Sequence, residues 1–236
     1  MPGESRNAEQ RSADGRRLRW TEHRSQRRTA FVTAGAEAVD RFGPEASAEQ
    51  IAEVAGVSRT VLYRYFRDRE DLRQAIADHV VSTIIDSVLP NLRITRTSTP
   101  HQVIESVIGV IVGWLDEHPN LYYFLRNRRN GSSLQAVENT LADQVAALLK
   151  VFLMFFGIDA GKAEPGAYGM VGLVESTGSW WLTRRTISRE QVTQLLCEGV
   201  WHLIDGTARA NKVTVGYDDP LPLEALTAGQ SAEQRR

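Results

Sequence analysis

The sequence predicts an all-α protein, and three observations carry that prediction. Apolar residues recur three or four positions apart through most of the chain, and the only strand-like run is the short KVTV at 212–215. Ser47 with Gln50, and Ser188 with Gln191, have the spacing of a reciprocal helix N-cap. Glycines and prolines then divide the apolar pattern into about nine segments of helical length. The expected organisation is a mobile Arg-rich arm (1–22), a small helical domain (23–68), a larger helical body (69–209) and an irregular tail (210–236).

Composition narrows the function classes. At 236 residues the chain can bury a sizeable core, and 42% hydrophobic with 24% charged content is ordinary for a globular protein. The single cysteine, Cys197, gives no disulfide framework and fits a cytoplasmic protein. The polar start, MPGESRNAEQRSADGRR, has neither the apolar core of a signal peptide nor that of an anchor, and no apolar run reaches membrane-spanning length. The net charge of −1 means that any nucleic-acid contact must rest on local charge.

In order, Arg6, Arg11, Arg16, Arg17 and Arg19 stand in a polar arm, either a solvated tail or a source of phosphate contacts. From Arg24 to Phe42, Phe31, Ala34, Ala38, Val39 and Phe42 make one apolar stripe, ended by Gly43-Pro44. Ser47 caps a second helix to Ala55, Gly56 provides the left-handed turn, and Ser58 caps a third with Val61, Leu62 and Phe66 inward. Asp68 caps a fourth helix, whose acids Glu70 and Asp71 suit its N-terminal dipole and which ends at Pro90. Pro100 opens a fifth to Glu117 with Val103, Val107, Ile111 and Trp114 as its stripe, and Pro119 a short aromatic sixth. Ser132 or Ser133 caps a seventh through Phe156, carrying Leu134, Val137, Leu141, Val145, Leu148, Phe152 and Phe155. An eighth, rich in glycine, runs to Arg184, and a ninth runs from Ser188 to Asp205.

The stretch IAEVAGVSRTVLYRYF (51–66) has the requirements of a helix-turn-helix: small residues where the helices cross, a turn tolerant of positive φ, and long polar side chains at the start of the second helix. Arg59 can donate twice to guanine, and Thr60 can bond a base or touch a thymine methyl. Ser58, Tyr63, Arg64 and Tyr65 lie on the same short helix or just after it, while Ser47 and Arg69 stand at helix starts suited to phosphate. Ile51, Val57, Leu62 and Phe66 read as core.

These residues resemble the TetR family of bacterial transcriptional regulators. The matching runs are Ser47-Ala48-Glu49-Gln50-Ile51-Ala52, Ala55-Gly56-Val57-Ser58-Arg59, Leu62-Tyr63-Arg64-Tyr65-Phe66 and Asp68-Arg69-Glu70-Asp71-Leu72. The chain departs from the family at Val61, Tyr65 and Arg69, where Thr, His and Lys are common; Val61 removes a hydroxyl from the groove-facing region. The resemblance implies a homodimer paired through its last two helices, a double-stranded palindromic operator, and a C-terminal domain binding a small-molecule effector. It implies a repressor released when a tilt of the fourth helix respaces the reading helices.

The body independently suits that expectation. Glycines 166, 169, 172 and 178 permit close helix approach, and the ninth helix adds Val192, Leu195, Leu196, Val200, Leu203 and Ile204. Trp114, Tyr122, Tyr123, Phe152, Phe156, Glu175 and Trp180 are candidates for a lipophilic ligand, such as a fatty acyl compound, although aromatic stripes also simply fill cores. Glu175 either orients a ligand or bonds at a dimer interface. Arg126, Arg128 and Arg129 form a solvated face or meet an acidic head group. No catalytic motif, metal-ligand spacing among the five histidines or phosphate loop points to an enzyme, a metal or a cofactor. The alternatives are an effector-independent architectural DNA-binding protein, and a small-molecule-binding protein or enzyme with an appended helix-turn-helix.

Overall fold

A computed structural model describes the backbone of residues 3–92, 95, 97–127 and 131–221, and the side chains of 23–92, 95, 97–127 and 133–221. Among the described residues there are nine α-helices, two short 3-10 turns and no strand. The helices are α1 (Gly3–Phe42), α2 (Ala48–Val54), α3 (Arg59–Leu62), α4 (Arg69–Val88), α5 (Pro100–Glu117), α6 (Pro119–Arg126), α7 (Gly131–Phe155), α8 (Ala163–Arg184) and α9 (Arg189–Ala210). None is long and apolar enough to cross a membrane among the described residues. The chain divides into two compact units, Met1–Val80 and Val81–Arg236.

In the first unit α1, α2, α3 and the start of α4 close on one small core. Phe31, Val32, Ala38 and Val39 of α1, Ile51 and Ala52 of α2, Leu62, Phe66, Leu72 and Ile76 are all buried. Gly35 lies inside that core, where a Cβ would stand 2.4 Å from Ile76 Cδ1; this position of α1 must therefore lack a side chain. Phe42, the last residue of α1, departs from its expected stripe and is 37% exposed, where the chain turns at Gly43. The α1 backbone starts at Gly3, well ahead of Arg24. The arginine side chains of the N-terminal arm lie outside the described residues, as do Arg128, Arg129 and the last part of the tail.

The second unit is organised by α5. Its buried line is Ile104, Ile108, Val112 and Leu115, one residue along from the expected Val103, Val107, Ile111 and Trp114. The expected line lies beside it, and the two lines together border an interior cavity, with only Val112 of the buried four off its wall. Trp181 (2% exposed) anchors the core, its indole N–H donating to the Ile187 carbonyl at 3.0 Å. Gly178 of α8 lets α5 close in, since a Cβ there would stand 2.7 Å from Leu115.

Three segment limits differ from expectation. Gly131 rather than a serine begins α7, with Ser133 already inside the helix and buried. That helix stops at Phe155, with Gly157 in the left-handed region. On α9, Gly206 is passed and the helix continues to Ala210, because one helical glycine costs only about 1 kcal/mol against alanine. KVTV forms no strand, in keeping with the expected all-α class. Instead, residues beyond it return to α5: His101 N–H donates to the Tyr217 carbonyl at 3.0 Å, and Leu221 N–H to the Ser98 carbonyl at 2.9 Å.

Candidate functional site

The helix-turn-helix is assembled by local polar contacts. Ser47 and Gln50 form the reciprocal cap, the Ser47 hydroxyl accepting Gln50 N–H at 3.2 Å and Gln50 Oε1 accepting Ser47 N–H at 2.8 Å. Gly56 adopts φ +65°, a conformation that a Cβ would strain, and thereby joins α2 to α3. The Ser58 hydroxyl accepts Val61 N–H at 3.4 Å, leaving α3 a single turn before tighter turns continue to Tyr65. Val57 is half-buried, whereas Ile51, Leu62 and Phe66 are core.

The candidate reading residues therefore fall into two groups. Ser58, Arg59, Thr60 and Arg64 are exposed, and Tyr63 is half-exposed. Arg59 is held on two sides: Nη1 pairs with Glu49 Oε1 at 2.6 Å, and its guanidinium lies 5.5 Å from the Tyr63 ring centroid. A backbone hydrogen bond at Glu49, more than the Arg59 charge, holds the Glu49 carboxyl below the usual carboxylate range. Tyr65 serves packing, with its ring edge-on to Phe31 at 5.0 Å and the Arg24 guanidinium above it. Ser47 is occupied as a cap, and Arg69 faces Glu45 at 3.9 Å. The segment after α3 is pinned from α1, where Arg28 lies over the Phe66 ring at 4.8 Å and reaches Asp71 at 3.4 Å.

The second site is a cavity of about 240 Å3 inside the Val81–Arg236 unit. Ile84 and Val88 from the end of α4 contribute to its wall. So do Val103, Val107, Ile111 and Trp114 of α5, the Leu134–Phe152 face of α7, Met170 to Glu175 of α8, Val200 and Ile204 of α9, and Leu221. Of the expected ligand residues, Trp114, Tyr122, Phe152 and Glu175 stand on this wall. Tyr123, Phe156 and Trp180 do not. Tyr123 and Trp180 are 37% and 45% exposed, because each neighbours a buried aromatic, Tyr122 or Trp181, that takes the inward direction. Phe156 packs with Leu153, Ile158 and Ala163 past the end of α7.

Its polar end is a connected set. Tyr122 Oη donates to Glu175 Oε1 at 2.9 Å and accepts from Arg126 Nη1 at 2.9 Å. Arg126 also donates to the Ser179 hydroxyl. Burial pushes the Tyr122 phenol up, and its bond to Glu175 adds to that. Glu138 was missed in the sequence, yet it stands on the same wall, and burial followed by the Glu175 charge pushes its carboxyl up. The signal was available: Glu138 lies four residues after Leu134 and three before Leu141, an acid inside an apolar stripe. Cys197 is buried and its thiol is pushed up to about 11, so it is not a thiolate at neutral pH.

Comparison with known proteins gives the same assignment. The sequence profile of the bacterial regulatory proteins of the tetR family matches residues 32–76. An uncharacterized HTH-type transcriptional regulator of Mycobacterium tuberculosis (strain H37Rv) is 30% identical over 202 residues, 84% of this chain and 85% of that protein. The HTH-type transcriptional activator FasR of Mycolicibacterium smegmatis is 24% identical over 201 residues, 83% and 91% of the two chains. Among solved structures, a tetR-family transcriptional regulator from Streptomyces coelicolor aligns with TM-score 0.63 at 22% identity, covering 77% of this chain and 84% of the other. The transcriptional regulator FadR of Bacillus subtilis, in complex with stearoyl-CoA, aligns with TM-score 0.57 at 18% identity, covering 75% and 98%. With a helix-turn-helix in its N-terminal unit and a helical C-terminal unit, the chain is a DNA-binding transcriptional regulator and belongs to the TetR family.

Proposed function

We propose that this regulator is a homodimeric repressor that binds a palindromic operator and is released by a lipophilic effector held in the apolar cavity. The observation that carries the reading is the course of α4. Arg69, its first residue, follows the helix-turn-helix, and Ile84 and Val88 of its last turns border the cavity. A ligand that moves the wall at Ile84 acts on the helix that continues into the DNA-binding unit. A shift in the preferred separation of two reading helices weakens operator binding by the effector's difference in affinity for the two states. In a symmetric dimer those helices reach half-sites about 34 Å apart, or a multiple of that.

The domain limits proposed from sequence place the DNA-binding part at 23–68 and the effector and dimerisation part at 69–209. Arg59 and Thr60 are the base readers, with Ser58, Tyr63 and Arg64 around them, and Arg69 meets phosphate. Pairing through α8 and α9 is supported by Tyr168, Trp180, Leu195 and Leu203, large apolar side chains left 41%, 45%, 50% and 44% exposed. At Gly169, Gly172 and Gly206 a Cβ would meet nothing within 4 Å, which leaves room for close approach by another helix. Light scattering tests this: a dimer mass is expected, and Leu195→Asp should shift it toward monomer. A lipophilic effector such as a fatty acyl compound is supported by the stearoyl-CoA in the B. subtilis FadR structure, while the two wall carboxylates disfavour an anionic head group on it.

Operator fragments recovered by genome-wide mapping give the test. A dyad-symmetric footprint that weakens on adding a lipophilic compound supports the reading, and operator affinity unchanged at saturating compound sinks it. The opposite sign of regulation is favoured by the name of the M. smegmatis relative, an activator. A reporter fused to the mapped operator separates the two, since repression predicts higher output on deleting the regulator.

A further inference from the structure

The cavity wall described above is aliphatic and aromatic apart from three groups: the carboxylates of Glu138 and Glu175 and the phenol of Tyr122 (the Trp114 indole aside). Their situations differ. Glu175 accepts a hydrogen bond from Tyr122, which Arg126 supports in turn. Glu138, from the facing helix α7, makes no hydrogen bond and no ion pair with any described residue, and the charges that act on it are those of Glu175 and Arg126. An acceptor-only group in apolar surroundings without a donor is costly, and a donor brought by a ligand removes that cost. The charge sum points the same way. Two carboxylates and the one guanidinium that acts on them leave a net −1, which a single positive charge balances. Arg126 does not border the cavity and is committed to Tyr122 and Ser179, so it is not free to receive an anionic head.

We infer that the effector is a lipophilic monocation, with an ammonium or amidinium head at Glu138 in the field of Glu175 and a hydrocarbon body along Val107, Ile111, Val145 and Leu148. The inference rests on the cavity being the effector site and fixes the head-group class within it. Glu138 is the anchor, since its acceptors are unused among the described residues. Glu175 is a positioning residue, already bonded by Tyr122 and adding negative field. A carboxylate head would meet two like charges, and an alcohol would satisfy Glu138 without balancing the field. Both heads would donate to a carboxylate, but only the ammonium adds attraction between opposite charges, and the expected preference for ammonium over hydroxyl is about tenfold.

Calorimetric titration of the full-length protein at neutral pH, with probes of one chain length below their micelle concentrations, tests this. Decylammonium should bind about tenfold more tightly than decanol, and decanoate and decanoyl-CoA more weakly than either. Glu138→Gln should remove most of the ammonium preference while leaving decanol affinity within about twofold, and Glu175→Gln should reduce it less. Equal binding of decylammonium and decanol, tighter binding of decanoate or decanoyl-CoA, or an unchanged preference in Glu138→Gln overturns the head-group assignment and leaves the lipophilic-effector reading standing. If no probe binds and none releases operator DNA, the cavity is not the effector site, and both readings fall together.

Discussion

The reading surface and the interior cavity do opposite things with polar groups. Around α3 the candidate reading side chains are exposed and are kept in place by short-range polar contacts, such as Arg59 between Glu49 and the Tyr63 ring. Around the cavity nearly every wall atom is apolar, and the few polar groups stand out because they are there at all. A surface that reads DNA must present donors to an acceptor-rich partner while losing little if one is removed, because water replaces it. A cavity must keep its shape without a partner, so its specificity falls to one or two groups and its existence to the packing behind it. Mutations should therefore separate cleanly into those that cost stability and those that cost recognition.

The largest expected effect tests the packing side of that contrast. Trp181→Ala should lower unfolding free energy by about 3–5 kcal/mol, as large aromatic deletions from a closed core do, and should abolish effector binding; urea unfolding with a calorimetric titration checks both. Arg59→Ala should do the reverse. The urea midpoint should hold to within about 0.5 kcal/mol, since an exposed ion pair contributes little, while operator discrimination falls by about 1–3 kcal/mol against a scrambled duplex in an anisotropy assay. Full preference retained in that variant would remove Arg59 from the reading role. Arg69→Ala should weaken all duplexes alike and lower the slope of log affinity against log salt by about one.

The smallest effect is a pH dependence. Burial, and the Glu175 charge after it, hold the folded-state pKa of Glu138 above its unfolded value. Its contribution to stability is therefore fully present below the ordinary carboxylate range and is lost as pH rises through the raised folded value. Glu138→Gln should accordingly be more stable than the parent at pH 7, with the difference vanishing near pH 4. Urea midpoints at the two pH values decide it, and equal midpoints at pH 7 would show that Glu138 is not held in an unfavourable charged state.

Much of this was legible in the sequence, for identifiable reasons. Helix limits set by capping chemistry emerged well: Ser47, Thr99 and Ser188 each accept the amide of the third helical residue, a bond written in adjacent residues. The helix-turn-helix geometry was legible because its demands are local, a left-handed Gly56 and an exposed Arg59 after a capping Ser58. The residues of the cavity wall were legible only in part. Tyr122 and Tyr123, or Trp180 and Trp181, are indistinguishable by residue type, and only the packing of α5, α6 and α8 determines which of each pair turns inward.

The sequence by itself determined the all-α class, the order of the helices and the helix-turn-helix, because turns, caps and apolar periodicity act over a few residues. The tertiary structure decided that the wide apolar face of α5 borders both a packed core and a void. It also decided that Glu138 shares that void with Glu175, and that the segment ending at Leu221 returns to complete its wall. A cavity is a property of how separate helices fail to fill the space between them. No stretch of chain contains it, and so no stretch of sequence could declare it.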